Sequence, residues 1–309
     1  MKNKIYVIGH KSPDLDTTAS AIAYSWFKNK QEKTLCYTPS VAGPLNEETK
    51  YVLKKFNFPV PPVLKTLKGK KIILVDHNEV SQSADHREEA EIIEVLDHHK
   101  INFKYDKPIV FRVLPWGATA TIIAHCCFKN NIKINKKMAG LLLSAILVDT
   151  VITKSPTCTL QDKEMIKKLS LISGIKNWKK YGMEIFKIRS NVKKLTPQKI
   201  IKSDFKNFNF ISGKFGIGQV ETTDLNDFSS LEEKIITQLN KIREKEKYHS
   251  VILFITDILK EGSLFLVSTQ DKKNLEKALG KTLDNNKAYI PKIISRKKQV
   301  VPFLTKIFN

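Results

Sequence analysis

The sequence predicts an α/β protein of two domains, the first built on a mainly parallel sheet flanked by helices and the second a smaller α/β unit. Three observations carry this. At 309 residues the chain can bury two cores of ordinary size. Residues 1–150 alternate short apolar runs with segments of helical period, the signature of a parallel sheet with crossover helices. Beyond residue 188 the pattern changes to paired strand signals around one long helix.

The elements follow in order. Residues 4–8, KIYVI, read as a strand, and residues 17–30 set Ala19, Ile22, Ala23, Trp26 and Phe27 on one helical face. Residues 71–75 and 92–96 are strands of nearly continuous apolar character, as expected when both faces of a sheet are covered. Helices are predicted over 118–130, 136–148, 160–173 and 176–188, with Trp178 at core spacing. A linker over 189–194 separates a domain of residues 1–188 from one of residues 195–309. In the second domain, strands are expected over 205–211 and 215–220, a helix over 231–247, and strands over 250–255 and 264–268. The spaced glycines of GKFGIGQ, residues 213–219, read as a hairpin turn, because no helix opening with Lys-Ser or Lys-Thr follows to make a phosphate loop.

Composition limits the partners. Fifty-three basic against thirty-one acidic residues leave a formal charge of +22, which attracts polyanions of many kinds. The lysines are scattered, as in KNKQEK, KGKK and REKEKYH, without interleaved aromatics, so they read as solvated surface and no dedicated nucleic-acid partner is expected. The longest apolar stretch, residues 139–152, is interrupted by Asp149, which excludes a membrane span there. The opening MKNKIYVIGH leads directly into a strand, and the four cysteines show no CxxC spacing. Both predict a cytoplasmic protein with small, reduced core cysteines.

The chemistry sits where strands end. GHKSPDLD supplies His10, Asp14 and Asp16; VDHNE supplies Asp76 and His77; DHH supplies Asp97, His98 and His99; and SAILVD closes a helix on Asp149. In an open parallel sheet these strand ends converge on one crevice. Carboxylates so crowded repel one another unless a cation lies among them, which predicts divalent metal. A set of imidazoles and carboxylates without thiolate exceeds one tetrahedral zinc and suits two octahedral ions that share a carboxylate. Manganese or magnesium fits the oxygen-rich ligation, the imidazoles favour manganese or cobalt, and zinc remains an admissible occupant. Paired ions of this kind activate water for phosphoryl transfer. For the rest of a phosphate-rich substrate the chain offers SRKKQVVP, where Arg296 carries a planar fork and Lys297 and Lys298 carry point charges.

GHKSPDLD, VDHNE, DHH, SAILVDT, KSPTCT and SRKKQVVP, in this order over nearly the whole chain, resemble the family II inorganic pyrophosphatases, the manganese-dependent members of the DHH phosphoesterase group. The resemblance implies hydrolysis of pyrophosphate in a cleft between the domains, two manganese ions per subunit, further magnesium or manganese delivered with the substrate, and a homodimer formed through an edge of the first sheet. It also implies site residues. His10, Asp14 and Asp76 match one metal site, and Asp16, Asp76, His98 and Asp149 the other, with Asp76 as the bridge. His99, Lys206, Arg296 and Lys297 match groups that touch phosphate, and Asp14 is the expected proton acceptor. Asp97 is read as an acceptor that orients an imidazole, and His77 as supporting or structural. His86, His125 and His249 are read as surface or packing residues. Ser12, Leu15, Trp116 and Ala118 depart from the family pattern without removing a ligand.

Two other functions compete. One is a DHH phosphoesterase acting on short oligonucleotides, nucleotide 3′-phosphates or polyphosphate, whose relatives carry a glycine-rich segment ending in histidine near the C-terminus; this chain has none. The other is a basic nucleic-acid-binding protein with a vestigial metal site, against which the complete ligand set argues.

Overall fold

The apolar runs that end in aspartate or histidine become neighbouring strands of one sheet. The computed structural model describes residues 4–189, 195–222 and 224–309. Its first part runs β1 (Ile5–Ile8), α1 (Leu15–Gln31), β2 (Tyr37–Ser40), α2 (Glu47–Lys55), β3 (Lys71–Val75), β4 (Glu91–Asp97), β5 (Val110–Val113), α3 (Thr119–Lys129), α4 (Lys136–Asp149), α5 (Leu160–Ser173) and α6 (Trp178–Arg189). The chain divides into two compact units after Ile185, inside α6. The linker expected over 189–194 lies outside the described residues from 190 onward.

The first sheet has the order β2-β1-β3-β4-β5, and every pairing is parallel. Its middle is apolar on both faces: Ile8, Ile72, Leu74 and Val95 are fully buried on one, and Val7, Ile73, Val75 and Leu96 on the other. Helix α4 is buried continuously from Met138 to Val148 because α1 and α5 pack on either side of it. That all-round burial explains why its sequence lacks a polar stripe. The edge strands β2 and β5, with sequences YTPS and VFRV, went unread in the sequence: each is four residues long and lacks an apolar run. Helix α2 was missed for a related reason, since only four of its nine residues are buried.

The second unit continues with α7 (Pro197–Lys202), β6 (Phe205–Phe210), β7 (Gly213–Thr222), α8 (Glu232–Lys245), β8 (Ser250–Asp257), β9 (Gly262–Thr269), α9 (Lys272–Leu279), β10 (Lys287–Pro291), a π-helical turn at Arg296–Val300, and α10 (Val301–Phe308). Its sheet has the order β10-β9-β8-β7-β6, antiparallel except between β7 and β8. All eight residues of β8 are buried, because successive side chains alternate between two cores. Ile252 and Phe254 meet α9 and α10 on one face, while Val251, Leu253 and Ile255 meet α7 and α8 on the other.

The glycine-spaced segment at 213–219 is not the hairpin turn that its composition predicted. It is the body of β7, and the turn to β6 falls at residues 211–212. The glycines serve close approach instead. A Cβ on Gly216 would collide with the Phe205 ring, and one on Gly218 would lie 2.6 Å from the Ile201 carbonyl oxygen.

Candidate metal centre

Parallel strands present their carboxyl ends on one side, and β1, β3 and β4 are adjacent in the sheet. His10 follows β1, Asp76 follows β3, and His98 and His99 follow β4. Asp14 caps α1, accepting a hydrogen bond from the Thr17 N–H at 2.9 Å, which places Asp16 in the first turn of that helix. Asp149 is the last residue of α4. Asp76 adopts a left-handed backbone, φ 60, a conformation that residues other than glycine, asparagine and aspartate rarely take.

The six sequence-predicted ligands converge. His10, Asp14 and Asp76 form one group and Asp16, His98 and Asp149 another, each with its ligand atoms within 4.8 Å of one another. Asp76 faces both. Its Oδ2 lies 3.7 Å from His10 Nε2, and its Oδ1 lies 3.4 Å from His98 Nε2. His10 Nε2 is also 3.4 Å from Asp14 Oδ2, and His98 Nε2 is 3.5 Å from Asp149 Oδ2. Ligands at about 2.1 Å from an octahedral ion stand about 3 Å apart, so these spacings need little contraction to close around cations.

Hydrogen bonds fix the donors. Thr17 Oγ1 donates to Asp76 Oδ2 at 2.6 Å, and Thr119 Oγ1 donates to Asp76 Oδ1 at 2.9 Å. Asp16 sits at the N-terminus of α3, where the Thr119 N–H donates to Oδ2 at 2.7 Å and the Ala120 N–H to Oδ1 at 3.0 Å. His98 Nδ1 lies 3.0 Å from the Trp116 carbonyl, which selects the tautomer whose Nε2 lone pair faces Asp76 and Asp149. The sequence did not reveal Thr17, Thr119, the α3 amides or the Trp116 carbonyl. Only Thr17, directly after Asp16, carried a local signal.

The electrostatics agree with a cation site. Burial, reinforced by Asp16, Asp14, Asp149 and Asp97, pushes the Asp76 carboxyl well above the ordinary range. Burial and then Asp14 raise Asp16 to about 6, although two amides of α3 pull against them. These are carboxylates that the fold crowds together and that divalent charge would relieve. Oxygen and imidazole donors without a thiolate suit manganese.

Asp97 orients His99, not His98. Its Oδ1 accepts from His99 Nδ1 at 2.9 Å and from the His98 and His99 amides at 2.7 and 3.2 Å. Its Oδ2 accepts from Asn78 Nδ2 at 2.6 Å, and Asn78 in turn ties down the Asn102 amide and the Lys100 carbonyl. Burial pushes the Asp97 carboxyl upward, but the His99 hydrogen bond and charge hold it below the ordinary carboxylate range. His77 is structural: Nδ1 contacts the Val75 carbonyl and Nε2 contacts Ser83 Oγ, both at 3.0 Å.

In the second unit, Lys206 is exposed on β6 and Lys297 is exposed on the turn after β10. Arg296 is buried. Its Nη1 donates to the carbonyls of Asp204 and Ile217 at 2.7 and 3.1 Å, and its Nη2 to both Asp204 carboxylate oxygens. Asp204 thereby links the basic turn to the strand that carries Lys206.

Comparison with known proteins gives two domain matches: the DHH family N-terminal domain over residues 4–146 and the DHHA2 domain over residues 183–307. The chain is 46% identical to a manganese-dependent inorganic pyrophosphatase of Methanothrix thermoacetophila, with 100% of both chains covered. It is 40% identical to the Bacillus subtilis protein of the same name, with 98% of each covered. A crystal structure from Methanococcus jannaschii, assigned to family II inorganic pyrophosphatase, superposes with a TM-score of 0.84 at 45% identity, covering 99% of each chain.

Proposed function

The chain belongs to the manganese-dependent, family II inorganic pyrophosphatases, and we propose that His10, Asp14 and Asp76 hold one divalent ion while Asp16, Asp76, His98 and Asp149 hold a second. Its reaction is the hydrolysis of pyrophosphate to two orthophosphates, and its metal is manganese. The observation that carries the two-ion reading is Asp76, whose two oxygens face two different imidazoles.

When bound, such a pair lowers the pKa of a shared water and polarises phosphoryl oxygens. Asp76 keeps the two positions at a fixed separation. Asp14, one oxygen committed to the α1 cap and the other beside His10, accepts the proton released by the attacking water. His99, held at Nδ1 by Asp97, presents its Nε2 side to the substrate phosphate. Lys206, Arg296 and Lys297 neutralise the remaining phosphate charge, and a further magnesium or manganese ion accompanies the substrate. Cobalt or magnesium replaces manganese, and zinc does so with lower activity. The chain acts as a homodimer through an edge of the first sheet, in the cytoplasm.

Metal-stripped protein resupplied with manganese, cobalt, magnesium or zinc, and offered pyrophosphate, ATP, a dinucleotide and tripolyphosphate, tests this reading. Orthophosphate release from pyrophosphate, highest with manganese, is expected; preference for the dinucleotide would overturn it. An Asp14→Ala enzyme that kept its full rate with both ions bound would remove Asp14 as proton acceptor.

A further inference from the structure

We infer that Asp162, a residue of α5 that contacts none of the six ligands, is a positioning residue for the second ion alone. The inference rests on the two-ion reading above. Asp162 is fully buried, and hydrogen bonds from four donors converge on its carboxylate. Two come from Thr159, whose N–H and Oγ1 lie 2.7 and 2.6 Å from Oδ2; together with the return bond from the Asp162 amide they make an ordinary capping box for α5. A capping residue needs nothing more. The other two come from distant chain: the Gly117 N–H donates to Oδ2 at 2.9 Å, and Thr121 Oγ1 donates to Oδ1 at 2.5 Å.

Those two donors bracket the segment that serves the second ion group. Trp116, whose carbonyl orients His98, precedes Gly117, and the Thr119 and Ala120 amides that hold Asp16 lie between Gly117 and Thr121. Gly117 is also pressed against Thr150, the residue after Asp149: a Cβ at 117 would stand 2.6 Å from Thr150 Cγ2 and 2.7 Å from Asp162 Oδ2. Asp162 therefore braces the backbone beside Asp16, His98 and Asp149 together. Its hydrogen-bonded link to Asp76 runs through Thr119 to one oxygen, while the other oxygen stays with Thr17. A general prop for the fold would weaken both ions equally, whereas this connectivity weakens one.

The experiment counts manganese. Metal-stripped wild type, Asp162→Asn and Gly117→Ala are titrated with Mn(II), bound ions per chain are measured by equilibrium dialysis, and electron paramagnetic resonance distinguishes coupled from isolated Mn(II). In Asp162→Asn an amide NH2 replaces an acceptor among four donors. In Gly117→Ala the added methyl group pushes the same contact apart from the other side, so it decides the matter if the first variant does not fold. The first ion should bind as in wild type, and the second should bind about 10- to 100-fold more weakly, the usual effect of losing an outer support, with an isolated Mn(II) signal replacing the coupled one. Equal weakening of both ions, or of neither, would overturn the role of Asp162 while leaving the two-ion reading intact. A wild type that binds fewer than two ions would overturn that reading, and the inference with it.

Discussion

Arg296 Nη2 lies 2.7 Å from Asp204 Oδ1 and 2.9 Å from Oδ2, so a group proposed to hold phosphate is itself held by a carboxylate of its own unit. Nη1 spends its donors on two main-chain carbonyls. Lysine cannot reproduce this planar fork. Arg296→Lys is expected to raise the KM for pyrophosphate by about tenfold or more, a loss of at least about 1.4 kcal/mol in binding, which steady-state kinetics will read.

Removing the other partner should act on stability first. Asp204→Ala strips the carboxylate from a buried guanidinium, but the Asp204 side chain is 42% exposed and water can replace part of the loss. A cost of about 1–2 kcal/mol follows, below that of a fully buried pair. Urea unfolding of the variant against wild type measures it, and no change would mean that the two main-chain carbonyls alone hold Arg296.

Asp76 has one threonine on each oxygen, and this separates the ions experimentally. Thr17→Val removes the hydroxyl from Oδ2, on the His10 side, and Thr119→Val removes it from Oδ1, on the His98 side. Each should weaken the ion on its own side by about tenfold and spare the other. Mn(II) titration of the two variants would show complementary losses, and identical losses would mean that the two oxygens of Asp76 do not serve separate ions.

Manganese affinity should rise steeply with pH. Burial raises the Asp16 carboxyl to about 6 in the metal-free protein and pushes Asp76 well above its ordinary value. Below that range an incoming ion must displace protons from its ligands, and above it the carboxylates are already charged. Binding titrations at pH 5 and pH 7.5 should show the tighter affinity at the higher value. An Asp16→Asn variant should bind more weakly at pH 7.5 and depend less on pH.

The residues proposed as ligands could be singled out in the sequence because each belongs to a short segment at the end of an element: HKSPDLD after β1, Asp76 after β3, His98 after β4, Asp149 at the end of α4. Their supports were not legible. The Thr119 amide meets Asp16 across 103 residues and Asp162 meets Gly117 across 45, pairings that exist only once α3 and α5 are packed. Threonine, glycine and a lone aspartate carry no periodic signal. Edge strands β2 and β5 escaped for a different reason, since neither is apolar enough to read as a strand on its own. The glycines of β7 misled because glycine marks turns and close backbone packing alike.

His77 provides a pH test of the fold apart from catalysis. Burial lowers its imidazole from the ordinary 6.5 to about 4, and both ring nitrogens are engaged, by the Val75 carbonyl and Ser83 Oγ. The folded protein therefore keeps His77 neutral while the unfolded chain takes up a proton near pH 6.5. Protons favour the unfolded state between those two values, so the stabilisation from His77 is complete above about pH 6.5 and declines as pH falls toward about 4. The full difference is worth about 3 kcal/mol. Glutamine at this position fills similar space and does not titrate. The gap in unfolding free energy between wild type and His77→Gln, both metal-free, should therefore shift against the wild type by about that amount from pH 7 to pH 4. Taking the difference cancels the opposing titrations of Asp16 and Asp76, which both proteins share. A constant gap would mean that the imidazole is protonated in the folded state, with one of its two hydrogen bonds reversed.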